Sequence, residues 1–141
     1  MTQPLPDRFL PVVQSLVRIA VGMAYFSHGG QKLFGWFGGM GGNGGTVELM
    51  SRFGVAGVVE VVCGAALVLG LGTRWAAFIA SGEMAVAYWW VHVVGRGELW
   101  WWANGGELSL VYCFVWLGFA TWGGGSLSLD ARLAARRSTP G

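Results

Sequence analysis

The chain has 141 residues, of which 54% are hydrophobic and only 11% charged, against about 25% charged in an ordinary soluble domain. A soluble globular fold is excluded, because a chain this short has no core large enough to hide so much apolar surface. The net charge of +2 is spread along the chain, which argues against a nucleic-acid-binding face.

Four apolar stretches use up most of the length, so the sequence predicts a single all-α domain over residues 1–141, an integral membrane four-helix bundle. The first span is expected at about 9–29. No small-x-small cleavage site follows it, and it runs directly into His28, Gly29, Gly30 and Lys32, so it reads as a retained helix rather than a signal peptide. Along it Gln14, Arg18, Gly22, Tyr25, His28 and Lys32 recur every three or four residues, which makes one polar stripe facing the bundle interior.

The loop that follows contains Gly38-Gly39-Met40-Gly41-Gly42-Asn43-Gly44-Gly45, with a literal G-x-G-x-x-G string. No strand precedes it and no βαβ unit fits in a bundle of this size, so it is expected to be a flexible lid or loop and not a dinucleotide site. The second span, about 53–72, carries Glu60 between Gly57 and Gly64, whose missing side chains allow a helix or a flat ligand to come close.

Leu71-Gly72-Thr73-Arg74 is so short a connection that the second and third spans must form an antiparallel hairpin. The third span, about 74–94, carries Glu83 and His92. After a loop over 95–105 with Asn104, the fourth span runs over about 106–122 with Glu107 at its start. Glycines 123–125 then stop the helix, and a basic cytoplasmic tail over 123–141 is expected to lie along the inner membrane surface.

Arg8, Arg74, Arg132, Arg136 and Arg137 fall on one side and Lys32, Arg52 and Arg96 on the other, so both termini are expected in the cytoplasm. Phe34, Trp36, Phe37 and Trp100 to Trp102 crowd the outer face, while Trp75 and Trp122 mark the inner edge. Cys63 and Cys113 lie inside apolar segments and do not resemble a disulfide framework.

A charge near the bilayer centre costs roughly 2.5 to 3.5 kcal/mol on insertion scales and is usually kept only where it pairs or does chemistry. Counting inward from the outer ends at about 1.5 Å per residue, Arg18 and Glu83 both come out roughly 18 Å deep and Glu60 about 10 Å deep. Arg18 and Glu83 are therefore expected to form a buried ion pair, either fixing helix register or serving a site. His28, Lys32, His92, Asn104 and Glu107 would rim a funnel leading down to that pair, with Glu60 and Glu83 able to relay protons. No metal or haem is predicted at His28 and His92, and no independent catalytic motif is present.

Arg18, the run His28-Gly29-Gly30-Gln31-Lys32-Leu33, Glu60 with Gly64, Leu69 to Arg74, Met84, Asn104 to Glu107, and Gly125-Ser126-Leu127-Ser128-Leu129-Asp130 together resemble the DoxX family of four-helix bacterial and archaeal membrane proteins. That family takes its name from the membrane subunit of an archaeal thiosulfate:quinone oxidoreductase, and some relatives are described as membrane partners of soluble redox proteins. The resemblance implies a multi-pass protein of the prokaryotic inner membrane, a quinone as ligand, and partner redox or membrane-complex subunits or further copies of itself. It singles out Arg18, His28, Lys32, Glu60 and Glu107. The glycine-rich loop here carries no catalytic cysteine or cofactor motif. With the residues found from spacing, the expected quinone-binding set is Arg18, Tyr25, His28, Lys32, Glu60, Glu83, His92, Asn104 and Glu107. The alternative reading is a non-enzymatic scaffold or assembly subunit that recruits a larger complex.

Overall fold

A computed structural model describes residue 4 and residues 6–138, and among these there are helices and turns but no strand. A short 3₁₀ turn, Asp7–Phe9, leads into α1, Leu10–Phe34. Then come α2, Arg52–Leu69, and α3, Thr73–Ala87, which continues without a break as a π-helical segment, Tyr88–Val94. A single turn, α4 (Trp101–Asn104), precedes α5, Glu107–Trp122, and α6, Leu129–Arg137. Three stretches are long and apolar enough to cross a membrane: Asp7–Phe34, Arg52–Leu69 and Thr73–Val94. The fourth apolar helix, α5, has 16 residues, about 24 Å of rise.

The first helix runs past the expected stop at Gly29-Gly30 and ends at Gly35, whose φ of 69° is the left-handed geometry glycine adopts freely. The two interior glycines are packing devices. A side chain at Gly29 would meet the Gly57 carbonyl oxygen at 2.8 Å, and one at Gly30 would collide with the Trp36 ring. Gly64 brings α2 equally close to α1, since a Cβ there would lie 2.8 Å from the Phe26 Cα. Small residues thus let the α1 and α2 backbones approach, as membrane helices generally require.

The second helix ends three residues before the expected boundary. Gly70, at φ 69°, closes it with the Leu71 amide donating back to the Ala66 carbonyl oxygen at 2.9 Å. α1 packs on α2 and α3 on α5, with α2 meeting α3 between the two pairs. The buried centre is Tyr25, Leu67, Ala77, Ala80, Met84, Tyr112, Trp116 and Phe119. Tyr25 sets its edge against the rings of Tyr112 and Trp116, whose own planes are stacked. Large apolar side chains such as Leu16, Val62, Phe78, Ile79 and Phe114 point outward, the arrangement of a protein solvated by lipid.

One end of the molecule is sewn together by the segment after α5. The Arg18 side chain is fully buried there. Its Nε donates to the Gly124 carbonyl at 2.8 Å, Nη2 to Leu127 at 2.8 Å, and Nη1 to Val68 at 2.8 Å and to Leu67. The Val68 carbonyl is among those that the end of α2 leaves without a helical partner, and the Leu67 carbonyl otherwise has the Gly70 amide at 3.2 Å. Asp130 completes the clasp, accepting from the Gly72 and Thr73 amides at 2.8 Å each and so capping α3 from a distant segment. Burial alone would raise the Asp130 carboxyl, but these two amides and the charge of Arg18 outweigh it and hold the group below the usual carboxylate range.

Candidate functional site

At the other end, the four apolar helices line a half-open cavity of about 740 Å³. That is within the range of roughly 300–1,000 Å³ typical of small-molecule sites. α1 contributes His28 and Lys32, α2 contributes Val59 and Glu60, α3 contributes Glu83 and Met84, and α5 contributes Ser109 and Tyr112. Met40 of the glycine-rich loop and Met50, between that loop and α2, also line it. Gly39 and Gly44, both at positive φ, fold that loop back on itself through a 2.7 Å bond from the Gly44 amide to the Gly38 carbonyl. No strand leads into it, which agrees with its reading as a lid or loop.

Two polar pairs lie in the cavity's depth. The Lys32 ammonium reaches both Glu60 carboxylate oxygens at 2.6 Å, with Glu60 only 2% exposed. The pairing follows from the stripe on α1, which puts Lys32 one turn beyond His28 and facing α2. Close packing at Gly57, against the Lys32 Cβ and the Leu33 side chain, brings Glu60 within its reach. In the second pair the fully buried Tyr25 donates its hydroxyl to Glu83 Oε2 at 3.0 Å. Glu60 and Glu83 are near enough to interact electrostatically, so two carboxyls and one ammonium share a low-dielectric pocket.

His92, in the π-helical segment, forms a third group. Its Nδ1 lies 3.1 Å from the Asn104 carbonyl oxygen, an acceptor only, so in the neutral ring Nδ1 carries the hydrogen. Nε2 is then the acceptor for the Ser109 hydroxyl at 3.4 Å. His28 places its ring edge-on to Tyr112, with centroids 6.0 Å apart. This set can hold a polar head by hydrogen bonds and pass protons to or from it.

Six of the nine expected site residues meet here, with His28, Lys32, Glu60, Glu83 and His92 on the cavity wall and Tyr25 behind Glu83. Three do not. Arg18 makes no pair with Glu83 and does not line the cavity, because α1 extends to Phe34 and so places Arg18 about 24 Å below its outer end, deeper than Glu83. The expected funnel ends at Glu83. Asn104 is buried but turned into its own loop, where it donates to the Glu98 carbonyl at 2.9 Å and accepts from the Gly106 amide at 2.7 Å. Glu107 is exposed in the first turn of α5, where its charge suits the helix dipole.

The sequence reading missed Ser109 and Tyr112. Their signal was present: Ser109, Tyr112, Trp116 and Phe119 recur at three- and four-residue spacing, one inward face of α5. Among the described residues, no group of three or more His, Cys, Asp or Glu side chains is arranged to hold a metal. Cys63 is buried in the core, and the Cys113 sulfur lies 3.7 Å from the Ser81 hydroxyl.

The sequence model of the DoxX family matches residues 13–93. A protein of Haemophilus influenzae, described as an uncharacterized protein, is 43% identical over 126 residues, covering 88% of this chain and 92% of its own length. No solved structure matches the chain.

Proposed function

The chain belongs to the DoxX family, and on that premise we propose that it is a membrane subunit of a quinone-linked oxidoreductase system whose cavity receives a quinone head group. The observation that carries this reading is the cavity itself. It lies among membrane-crossing helices, is walled mostly by apolar and aromatic side chains, and has the Lys32–Glu60 pair and the Tyr25-bound Glu83 in its depth. A polar group inside a membrane is a functional-site hypothesis by default. A flat ring with an oxygen at each end fits such a slot, since the apolar walls take its faces and the polar groups its oxygens.

A quinone supplies, when bound, a couple that takes up two electrons and two protons. For this chain's residues the roles divide by charge. Lys32, held in place by Glu60, donates a hydrogen bond to a ring oxygen and stabilises negative charge developing there. Glu83 and His92 Nε2 hold or release protons, and Tyr25 fixes the orientation of Glu83. Electrons come from a partner redox subunit. In this reading α5 is a fourth crossing anchored by Trp100 to Trp102 at one end and Trp122 at the other. The clasped end with Arg8, Arg74 and α6 faces the cytoplasm of a prokaryotic cell.

The test is mass spectrometry of quinones extracted from protein purified in mild detergent, beside Lys32→Met and Glu60→Gln variants shown to be folded. Stoichiometric quinone in the wild type and at least a tenfold loss in both variants is expected. A wild-type protein with no quinone would refute the reading and favour a non-enzymatic scaffold that recruits a larger complex.

A further inference from the structure

We infer that the ligand enters sideways from the bilayer, through the crevice between α2 and α3, and that it carries an apolar chain that stays in that crevice while its head lies at Lys32, Glu60 and Glu83. This rests on the quinone reading for the identity of the head, and adds the class of quinone and its route.

The cavity wall is made of two kinds of residue. Glu60, Met84 and Tyr112 are buried between the helices, but Val55 on α2 and Gly82 and Val86 on α3 line the same half-open cavity and are themselves exposed, Val55 by 53% and Val86 by 56%. All three belong to membrane-crossing segments, so the medium they are exposed to is lipid. The cavity is therefore continuous with the outer surface through the α2–α3 face.

Gly82 marks the depth of that opening. It stands 12 residues before Val94 in a segment of 22, about 18 Å from the outer end. An opening that reaches this depth admits a molecule from the hydrocarbon layer, while Met50, Arg52 and Val55 carry the cavity wall up to the outer end of α2. A Cβ built on Gly82 would meet no atom within 4 Å, so the glycine is not there to let a neighbouring helix approach, as Gly29 and Gly64 are. It leaves a gap in the wall immediately beside Glu83, a carboxyl that membrane proteins normally shield from hydrocarbon. Lys32, Glu60 and Glu83 lie in the depth of the cavity, and the lateral rim carries Val55 and Val86 with Arg52 at its outer end, its guanidinium 6.0 Å from the Trp90 ring across the crevice, so an amphiphile inserted head first passes below the arginine.

The experiment compares two ligands on purified protein in lipid nanodiscs: a benzoquinone bearing a polyprenyl chain and the same ring bearing only a methyl group. Binding is read by fluorescence quenching of Trp90, which lines the cavity, with a Trp90→Phe control. We expect the chain-bearing quinone to bind the wild type at least tenfold more tightly. Gly82→Leu, a change that favours the helix, should weaken it at least tenfold while leaving the methyl compound within twofold. Val86→Trp, on the same rim, should do the same if Gly82→Leu alters the fold. Equal affinity for the two compounds in the wild type, or unchanged binding in both folded variants, overturns the lateral route and leaves the quinone reading standing. No binding of either ring defeats the quinone reading and this inference together. A copurifying phospholipid lost in Gly82→Leu keeps the route and replaces the quinone.

Discussion

Replacing Arg18 by methionine keeps most of the side-chain volume and removes the guanidinium that joins α1 to the end of α2 and to the segment after α5. Four carbonyl acceptors lose a charged donor, those of Leu67, Val68, Gly124 and Leu127, of which Leu67 keeps the Gly70 amide and Gly124 the Ser15 hydroxyl. Charge-assisted bonds at roughly 1.5 to 3 kcal/mol each would add up to about a whole domain's stability, but they share one side chain and are not independent. The better guide is the cost of leaving buried acceptors without a donor, about 1–3 kcal/mol each, which for the Val68 and Leu127 carbonyls together comes to about 3–5 kcal/mol. That corresponds to a shift of roughly a hundredfold to several thousandfold in the folding equilibrium. The assay is unfolding in mixed micelles of rising denaturing-detergent fraction, paired with tryptic cleavage at Arg132, Arg136 and Arg137, which undocking of α6 should accelerate. Arg18→Lys, with a charge but no fork, should fall between the two. Because Arg18 lies outside the cavity, whatever Arg18→Met folds should still retain its quinone. A change below about 1 kcal/mol with unaltered cleavage would refute the clasp, and loss of ligand from folded variant would return Arg18 to the site.

Glu60→Gln should destabilise the protein by leaving the Lys32 ammonium unpaired, whereas the double replacement Lys32→Met with Glu60→Met should recover most of that loss and still bind no quinone; detergent unfolding and extraction read the two effects separately. Gly29→Ala and Gly64→Ala should each lower stability by about 1–3 kcal/mol through forced separation of α1 and α2, measured by the same unfolding. For Asp130, a carboxyl held below its ordinary value contributes stability that is complete above the unfolded value, about 3.9, and fades as pH falls through the folded one. Protection of the α6 arginines from an acid-tolerant protease should therefore be constant from pH 7 to about 4 and decline only below that, with Asp130→Asn weaker at neutral pH and nearly flat.

The polar stripe on α1 was legible because a helix repeats every 3.6 residues whatever its surroundings, and it put Arg18, Tyr25, His28 and Lys32 on one face. What each would touch was not. Gly29-Gly30 reads as a helix stop by propensity, but close packing against Gly57 and Trp36 keeps the helix going, and that extension invalidated the depth that paired Arg18 with Glu83. Depth also gives height without direction, so nothing in the spacing said that Lys32 would turn to Glu60 and Tyr25 to Glu83. Asn104 and Glu107 were grouped with the rim by their place at the outer ends of the spans, and Glu107 also by the family resemblance, although a buried loop amide satisfies its own turn and a helix-start carboxylate can face out. The tail shows the limit most plainly. Composition marks 129–137 as basic and amphipathic, whereas its docking by Asp130 on α3 is a contact between residues 57 and 58 positions apart.

The π-helical end of α3 makes the width of the cavity a matter of chain length. Trp90, Val91 and His92 are consecutive and all three line the cavity, and a π-helical segment, with its wider i→i+5 turn, rotates less per residue than the about 100° of an α-helix and so turns more of its side chains to one side. Such a segment is equivalent to an α-helix that has received one extra residue. In hereditary terms, the chamber can be narrowed by losing a single codon between Tyr88 and Val94 while the packing of α3 on α5 below it is left in register. Descendants of one ancestral bundle thus have a route to cavities of different size through an insertion or deletion, before any wall residue changes its identity.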